Sequence, residues 1–177
     1  MSGDWIQTYT GRKFHPLTPD PEQIVIEDIA HALANLCRFN GHCLEFYSVA
    51  QHSVIVSQHV PDEHALWGLL HDAAEAYIGD LVRPLKHARN WCGDQFVLAE
   101  QSIMYAVADA FPLAHPWCPA EVHKADERAL ATEKRDLMGE EPGNWGLREP
   151  PFTEIIQPMY PPQAEALFLD RFEELTR

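Results

Sequence analysis

The chain has 177 residues, which suits one domain able to bury about two thirds of its unfolded surface. Its 46% hydrophobic and 23% charged residues are ordinary for a globular protein and argue against disorder. The net charge of -14 argues against binding to DNA or RNA polymers, because clustered basic residues dominate that affinity.

The four cysteines have no C-x-x-C spacing, and no signal peptide or long apolar span is evident. We therefore expect a cytoplasmic protein with reduced thiols and no membrane association. The spacing of the apolar residues predicts a compact all-α bundle, with residues 1–177 forming a single domain and about 1–21 an extended N-terminal arm. The predicted helices cover residues 24–37, 48–59, 62–77, 96–111 and 119–138, followed by a loop (139–151), a short strand (152–160) and a last helix from 161.

The most informative stretch places His71, Asp72, Glu75 and Asp80 within ten residues. It follows the apolar run Ala65-Leu66-Trp67-Gly68-Leu69-Leu70, so these polar side chains are expected at the inner end of a helix. Residues three and four apart lie on one side of a helix. An unpaired carboxylate buried there would cost several kcal/mol, which a bound cation would remove.

Two further residues complete a candidate metal site. His52 lies one turn into the helix that begins at Ser48, where Ser48 and Gln51 have the spacing of a capping box. Asp126 falls within the apolar stripe of the 119–138 helix, and a charge in such a stripe needs a partner. Two histidines and two carboxylates suit one divalent transition metal ion: manganese, cobalt, iron, nickel or zinc.

The order His52, His71-Asp72 and then Asp126 resembles the HD-superfamily phosphohydrolases. The run from His71 through Gly79-Asp80 to Pro84 and Lys86, with Arg38-Phe39 ahead of it, is similar to bacterial 5′-deoxynucleotidases and small phage deoxynucleoside triphosphate hydrolases. The resemblance covers about residues 27–138. Gln51 stands where those enzymes usually have Glu, and Phe39 where Trp is common, so we expect Gln51 just behind the metal ligands and Phe39 at the sugar.

The matching residues, and the charged residues near them in the sequence, have the following expected roles. The metal ligands are His52, His71, Asp72 and Asp126, and the proton carriers are Glu75 and Asp80. Arg38, Lys86 and Lys124 are expected to neutralise the α-phosphate, and Arg83, His87 and Arg89 the outer phosphates. Phe39 is expected to pack on the deoxyribose, and His42 to face the substrate from the neighbouring loop.

The expected activity is hydrolysis of a deoxynucleoside triphosphate, with dATP as one candidate, by attack of water on the α-phosphorus. A 5′-deoxynucleotidase acting on monophosphates remains the alternative of the same class. A di-metal HD phosphodiesterase or oxygenase would need further histidines, and a metal-bound nucleotide sensor would bind without turnover. The expected partner is a small deoxynucleotide, and the resemblance implies a homo-oligomer.

Overall fold

The computed structural model describes residues 3–86, 93–113, 117–140 and 143–177. Most of these residues are helical, and the strands among them form one two-stranded hairpin, which confirms the all-α class. The helices are α1 (Ile26–Asn35), α2 (Val49–Gln58), α3 (Ala65–Leu70), α4 (Glu75–Ile78), α5 (Arg83–Lys86), α6 (Gly93–Ala110), α7 (Ala120–Leu137) and α8 (Pro161–Thr176). None of these described helices is long and apolar enough to cross a membrane.

The N-terminal region, where an extended arm is predicted, contains an antiparallel hairpin of β1 (Ile6–Gln7) and β2 (Lys13–Phe14). Phe14 is fully buried, and its ring stacks on Tyr77 with 3.9 Å between centroids. The backbone N–H of Thr10 donates to Asp28 Oδ1 at 2.7 Å. These contacts fix the hairpin against α1 and α4.

The main hydrophobic core lies between α1, α2, α3, α6 and α8. Its fully buried side chains include Ile29, Leu33, Leu69, Leu70, Ile103 and Phe168. Helix α8 begins with Pro161 in its first turn, a position that proline favours, and inserts Ala164 and Phe168 into this core. The apolar stripes predicted from the sequence therefore supply much of the core.

The helix predicted to run unbroken over residues 62–77 is interrupted, so this part of the prediction is wrong. Between Leu70 and Tyr77, backbone N–H groups bond mainly to carbonyls three residues earlier, as in a 3₁₀ helix. The His71 side chain takes part in this change, because its Nδ1 donates to the Gly68 carbonyl at 2.8 Å. In a regular α-helix the N–H of Asp72 would use that carbonyl.

The predicted strand at residues 152–160 is also wrong. This extended segment has no strand partner among the described residues. Instead, side chains of α2 and α7 satisfy its backbone: the Phe152, Ile156 and Met159 N–H groups donate to Thr132, Asp136 and Gln51, respectively. Arg135 also donates to the carbonyls of Phe152 and Glu154.

Some expectations fall outside the described residues: His87, Arg89 and Cys92 lie in the 87–92 gap. The other three cysteines, Cys37, Cys43 and Cys118, are free thiols, as the lack of cysteine motifs predicts.

Gln51 provides a test of how the extended segment is held. Its side chain donates to the Gln157 carbonyl at 2.7 Å and accepts from the Met159 N–H at 2.9 Å. In Gln51→Glu the acceptor remains, but a carboxylate faces the carbonyl without a proton to donate. We expect the free energy of unfolding at pH 7 to fall by about 1–3 kcal/mol, measured by urea denaturation. Gln101→Glu makes the same charge change on an exposed part of α6 and should alter stability little; equal losses would contradict this role.

Candidate metal centre

His52 is positioned by the first turn of α2. Ser48 caps this helix, accepting a hydrogen bond from the Gln51 N–H at 3.2 Å, as the sequence predicts. The His52 side chain is fully buried, and its Nδ1 donates to Glu133 Oε1 at 2.5 Å. A neutral imidazole with its proton on Nδ1 has a lone pair on Nε2. The Glu133 contact therefore selects the tautomer that can bind a metal through Nε2.

His71 is oriented in the same manner from the end of α3. Its hydrogen bond to the Gly68 carbonyl places the proton on Nδ1 and leaves the Nε2 lone pair available. The two Nε2 atoms, of His52 and His71, lie only 3.3 Å apart. If both imidazoles were neutral in these tautomers, neither Nε2 would carry a proton and the two could not hydrogen bond to each other. The close approach therefore requires a positive charge, either a proton on one ring or a metal ion beside both.

The close approach of α2 and α3 depends on Gly68. A Cβ atom at this position would lie 2.9 Å from the Cα of Ser57 on α2, a distance that real Cβ contacts essentially never show. Any other residue here would push the two helices apart. Gly68 therefore contributes to the site in two ways: it allows the close packing of α2 and α3, and its carbonyl orients the His71 ring.

Two carboxylates complete the cluster. Asp72 Oδ2 lies 3.2 Å from His71 Nε2 and 3.6 Å from His52 Nε2. Ligand atoms of His52, His71 and Asp72 all lie within 4.8 Å of one another, so this group could hold a metal ion. Asp126, from α7, places Oδ1 3.3 Å from His52 Nε2. The structure thus brings together all four residues that the sequence predicts as ligands.

The charges of this cluster favour a bound cation. Burial and Arg38 lower the pKa of His52, but Glu133 and Asp126 outweigh them and raise it to about 9. Despite burial, His71 lowers the pKa of Asp72, and His52 lowers that of Asp126, so both carboxyl groups are ionised at neutral pH. A site that attracts protons in this way also attracts a metal ion, which competes with them. Its mixed nitrogen and oxygen ligands fit a divalent transition metal.

Glu133 is a residue of this cluster that the sequence analysis missed. It is fully buried on α7, where Oε1 accepts from His52 and Oε2 accepts from Arg38 Nη2 at 2.9 Å. Arg38 and His52 hold its pKa down at about 2, despite the opposing effect of burial. Its spacing from Asp126 could have identified it. Glu133 follows Asp126 by seven residues, or two helical turns, so both lie on the same face of the helix.

Glu75 and Asp80, the predicted proton carriers, lie beside this cluster. Glu75 is buried, and its Oε2 has no hydrogen-bond partner in the described part of the chain. Burial raises the pKa of Glu75 well above its ordinary value, and the charges of Asp72 and Asp80 raise it further. Burial also raises the pKa of Asp80, against the opposing charge of Arg38.

The predicted substrate residues divide into two groups. Arg38 and Arg83 reach the metal centre, with guanidinium nitrogens 3.7 Å from Asp72 Oδ2 and Asp126 Oδ2, respectively, and Phe39 follows Arg38 directly. Three others have different neighbours. Lys86 Nζ pairs with Glu100 at 2.6 Å, and Lys124 Nζ pairs with Glu149 at 3.9 Å. His42 is exposed and makes no ion pair with a described site residue. Gln51, expected behind the metal ligands, instead binds residues 157 and 159.

The fold and the cluster define a helical protein with a His-His-Asp group compatible with a metal site of the HD type. The chain is 39% identical over 175 residues to the uncharacterized protein YfdR of Escherichia coli (strain K12), covering 97% of this chain and 96% of that protein. It is 31% identical over 196 aligned positions to an uncharacterized protein of Rhodobacter capsulatus, and the alignment covers 100% of this chain and 98% of that protein. The chain therefore belongs to the YfdR family. No protein-family model matches it.

The role of Glu133 predicts the effect of Glu133→Gln. An amide cannot balance the buried charge of Arg38 or fix the His52 tautomer as a carboxylate does. We expect the free energy of unfolding to fall by about 3 kcal/mol and metal affinity to fall about 10- to 100-fold, measured by urea denaturation and metal titration. Glu121→Gln, near the exposed start of α7, serves as the control. Unchanged metal affinity would show that Glu133 does not orient His52.

The assignment of Asp126 as fourth ligand predicts that Asp126→Ala lowers both metal content and stability. Fewer ligands weaken binding, and a metal that binds the native state stabilises it in proportion to its affinity. Metal per chain is measured by elemental analysis after dialysis, and stability by thermal unfolding with and without manganese. Asp109→Ala, on the exposed side of α6, should leave both unchanged. Full metal content in Asp126→Ala would remove this residue from the ligand set.

Proposed function

We propose that the protein is a metal-dependent phosphohydrolase that converts a deoxynucleoside triphosphate, such as dATP, into the deoxynucleoside and triphosphate. The observation that carries the proposal is the 3.3 Å approach of the His52 and His71 Nε2 atoms between the carboxylates of Asp72 and Asp126. The motif resemblance to HD-superfamily enzymes supports the same reaction.

The proposed reaction is an in-line attack of water on the α-phosphorus. A bound divalent ion would supply Lewis acidity and lower the pKa of water. The new bond joins the water oxygen to phosphorus, and the bond from phosphorus to the 5′-oxygen breaks. One proton must leave the water and one must reach the 5′-oxygen. Glu75 and Asp80 are suited to these transfers, because burial raises the pKa of both above that of an exposed carboxyl group and so favours proton uptake.

Positive charge near the cluster would stabilise the phosphate oxygens as negative charge develops. Arg38 is buried beside Asp72 and is held by Glu133, so its guanidinium is fixed before substrate binds. Arg83 pairs loosely with Asp126, and 63% of its side chain is exposed. This exposure leaves Arg83 able to turn toward the outer phosphates of a triphosphate.

A 5′-deoxynucleotidase is the second candidate, and one observation favours it. A triphosphate brings about two more negative charges than a monophosphate, and each buried charge needs a donor. Lys86, one of the cations expected near the phosphates, is held by Glu100 at 2.6 Å, with 25% of its side chain exposed. Fewer available cations suit a substrate with fewer charges.

A sensor that binds a nucleotide without hydrolysing it is the candidate from another class. Burying the Glu75 carboxyl group with an oxygen that has no hydrogen-bond partner among the described residues lowers stability. Proton transfer would explain why such a group is present, and a sensor does not need proton transfer. Phosphate or triphosphate release from any nucleotide would exclude this candidate.

The products identify the reaction. The protein is incubated with manganese or cobalt and, separately, with dATP and dAMP, and products are separated by ion-exchange chromatography. The proposal predicts deoxyadenosine and intact triphosphate from dATP. Phosphate release from dAMP with no reaction of dATP would instead establish the monophosphate candidate. A panel of the other deoxynucleotides and ribonucleotides run in parallel measures base and sugar preference.

Glu75→Gln tests the proton carrier separately from the metal site. Glu75 lies beside the ligands without being one of them, so we expect normal metal content but a 10²- to 10⁴-fold lower kcat, roughly the range for general acid-base groups. Glu63→Gln, in the exposed 3₁₀ helix before α3, provides a matched control. Turnover within about twofold of the unmodified protein would remove Glu75 from the mechanism.

A further inference from the structure

A cavity of about 340 Å³ lies under the N-terminal hairpin, and a larger one of about 530 Å³ lies beside the end of α7. The smaller cavity contains a carboxylate, Asp28, but both of its oxygens already accept hydrogen bonds from Thr10. The larger cavity has the size of a pocket for a small organic ligand. Its wall includes Met138, Trp145, Leu147 and Pro151, together with the charged residues Lys134, Arg135, Glu140 and Glu149.

This larger cavity, which we name the Trp145 pocket, connects to the metal centre through a short series of side chains. Arg38 lies 3.7 Å from the metal ligand Asp72, and its guanidinium carbon is 5.4 Å from the centroid of the Phe39 ring. The Phe39 ring in turn lies 6.0 Å from that of Trp145, at an interplanar angle of 56°. The side chains of Arg38, Phe39 and Trp145 therefore lie in this order with increasing distance from the candidate metal centre.

The backbone at Phe39 is held in a conformation that side chains rarely adopt. Phe39 and Asn40 have φ angles of 53° and 50°, in the left-handed region, and Gly41 follows at 80°. Two such residues in succession are unusual outside glycine, and strain of this kind concentrates at ligand sites. The conformation aims the Phe39 ring toward Trp145 while Arg38 stays paired with Glu133.

We propose that the Trp145 pocket binds the nucleobase of the substrate, with Trp145 as a stacking residue that the motif resemblance does not identify. The inference rests on the proposed nucleotide function. The substrate has a phosphate, a sugar and a planar base in that order, which matches Arg38, Phe39 and Trp145. Asp126 and Lys134 are eight residues apart on α7, about 12 Å along its axis, so metal centre and pocket are separated by roughly the length of one nucleotide.

The chemistry of the pocket fits a base better than a further phosphate. Apolar and aromatic side chains form much of its wall. The two carboxylates, Glu140 and Glu149, are balanced by two cations, Lys134 and Arg135, so the pocket has no excess positive charge for a further phosphate but offers acceptors and donors to a base. Stacking of a base on an aromatic side chain strengthens binding about 5- to 150-fold. Trp145 thus sets affinity for the base, separately from the reaction at phosphorus.

The test compares Trp145→Ala with the unmodified protein on two substrates. One is dATP, and the other is deoxyribose 5-triphosphate, which has the same sugar and phosphates but no base. We expect KM for the deoxynucleotide to rise at least about fivefold, as loss of stacking requires, with kcat little changed. Activity on deoxyribose 5-triphosphate should stay the same. Trp145→Phe, which keeps an aromatic face, should restore most of the affinity.

Trp5→Ala is the matched control. Trp5 is exposed to the same degree as Trp145, 37% against 36%, and each has a lysine over its ring, Lys13 at 4.8 Å and Lys134 at 5.6 Å. Equal loss on both substrates in Trp145→Ala, or an unchanged KM for the nucleotide, would overturn the proposal.

A second measurement separates this proposal from the proposed reaction. Binding of unphosphorylated deoxynucleosides is measured by calorimetry, without metal or turnover. Saturable binding that is lost in Trp145→Ala and kept in Trp5→Ala supports the base pocket even if no nucleotide is hydrolysed. Absence of deoxynucleoside binding to the unmodified protein, together with normal hydrolysis of nucleotides, would reject the pocket and leave the reaction standing.

Discussion

The buried hydrogen bonds of Glu133 are the interaction on which the rest of the site depends. One carboxylate accepts from His52 on α2 and from Arg38 in the loop after α1, so it joins three segments that are distant in sequence. Burying a carboxylate and a guanidinium is costly unless each is fully paired. Here the pairing fixes the His52 tautomer and holds Arg38 beside Asp72. Glu133 and Arg38 therefore orient the candidate metal-binding side chains without having to be ligands themselves.

The clustering of the four predicted ligands could be anticipated from local patterns in the sequence. His71, Asp72 and Asp126 are polar residues within apolar helical stripes, and His52 stands one turn after a recognisable cap. Such conflicts between pattern and polarity mark functional positions. Glu133 gave a weaker signal, because glutamate on a helix is usually exposed and α7 carries several other charges.

The positions of the predicted cations depended on contacts that the sequence does not reveal. Lys86 and Lys124 carry the same charge as Arg38 and Arg83. In the folded protein, however, they pair with Glu100 and Glu149, which are not part of the candidate metal centre. Which carboxylate a surface lysine meets is decided by tertiary packing. The extended segment 152–160 illustrates the same limit: its apolar residues suggest a strand, but side chains of α2 and α7 take the place of a strand partner.

That segment also gives the site a mechanical property. Gln51 is the neighbour of His52 on α2, and Thr132 is the neighbour of Glu133 on α7, so two of the side chains that hold the segment lie next to the two residues of the buried hydrogen bond. Local opening of residues 152–160 would remove contacts from both helices at once. Amide hydrogen exchange in α2 and around Glu133 should consequently be correlated, with protection set by one shared opening event.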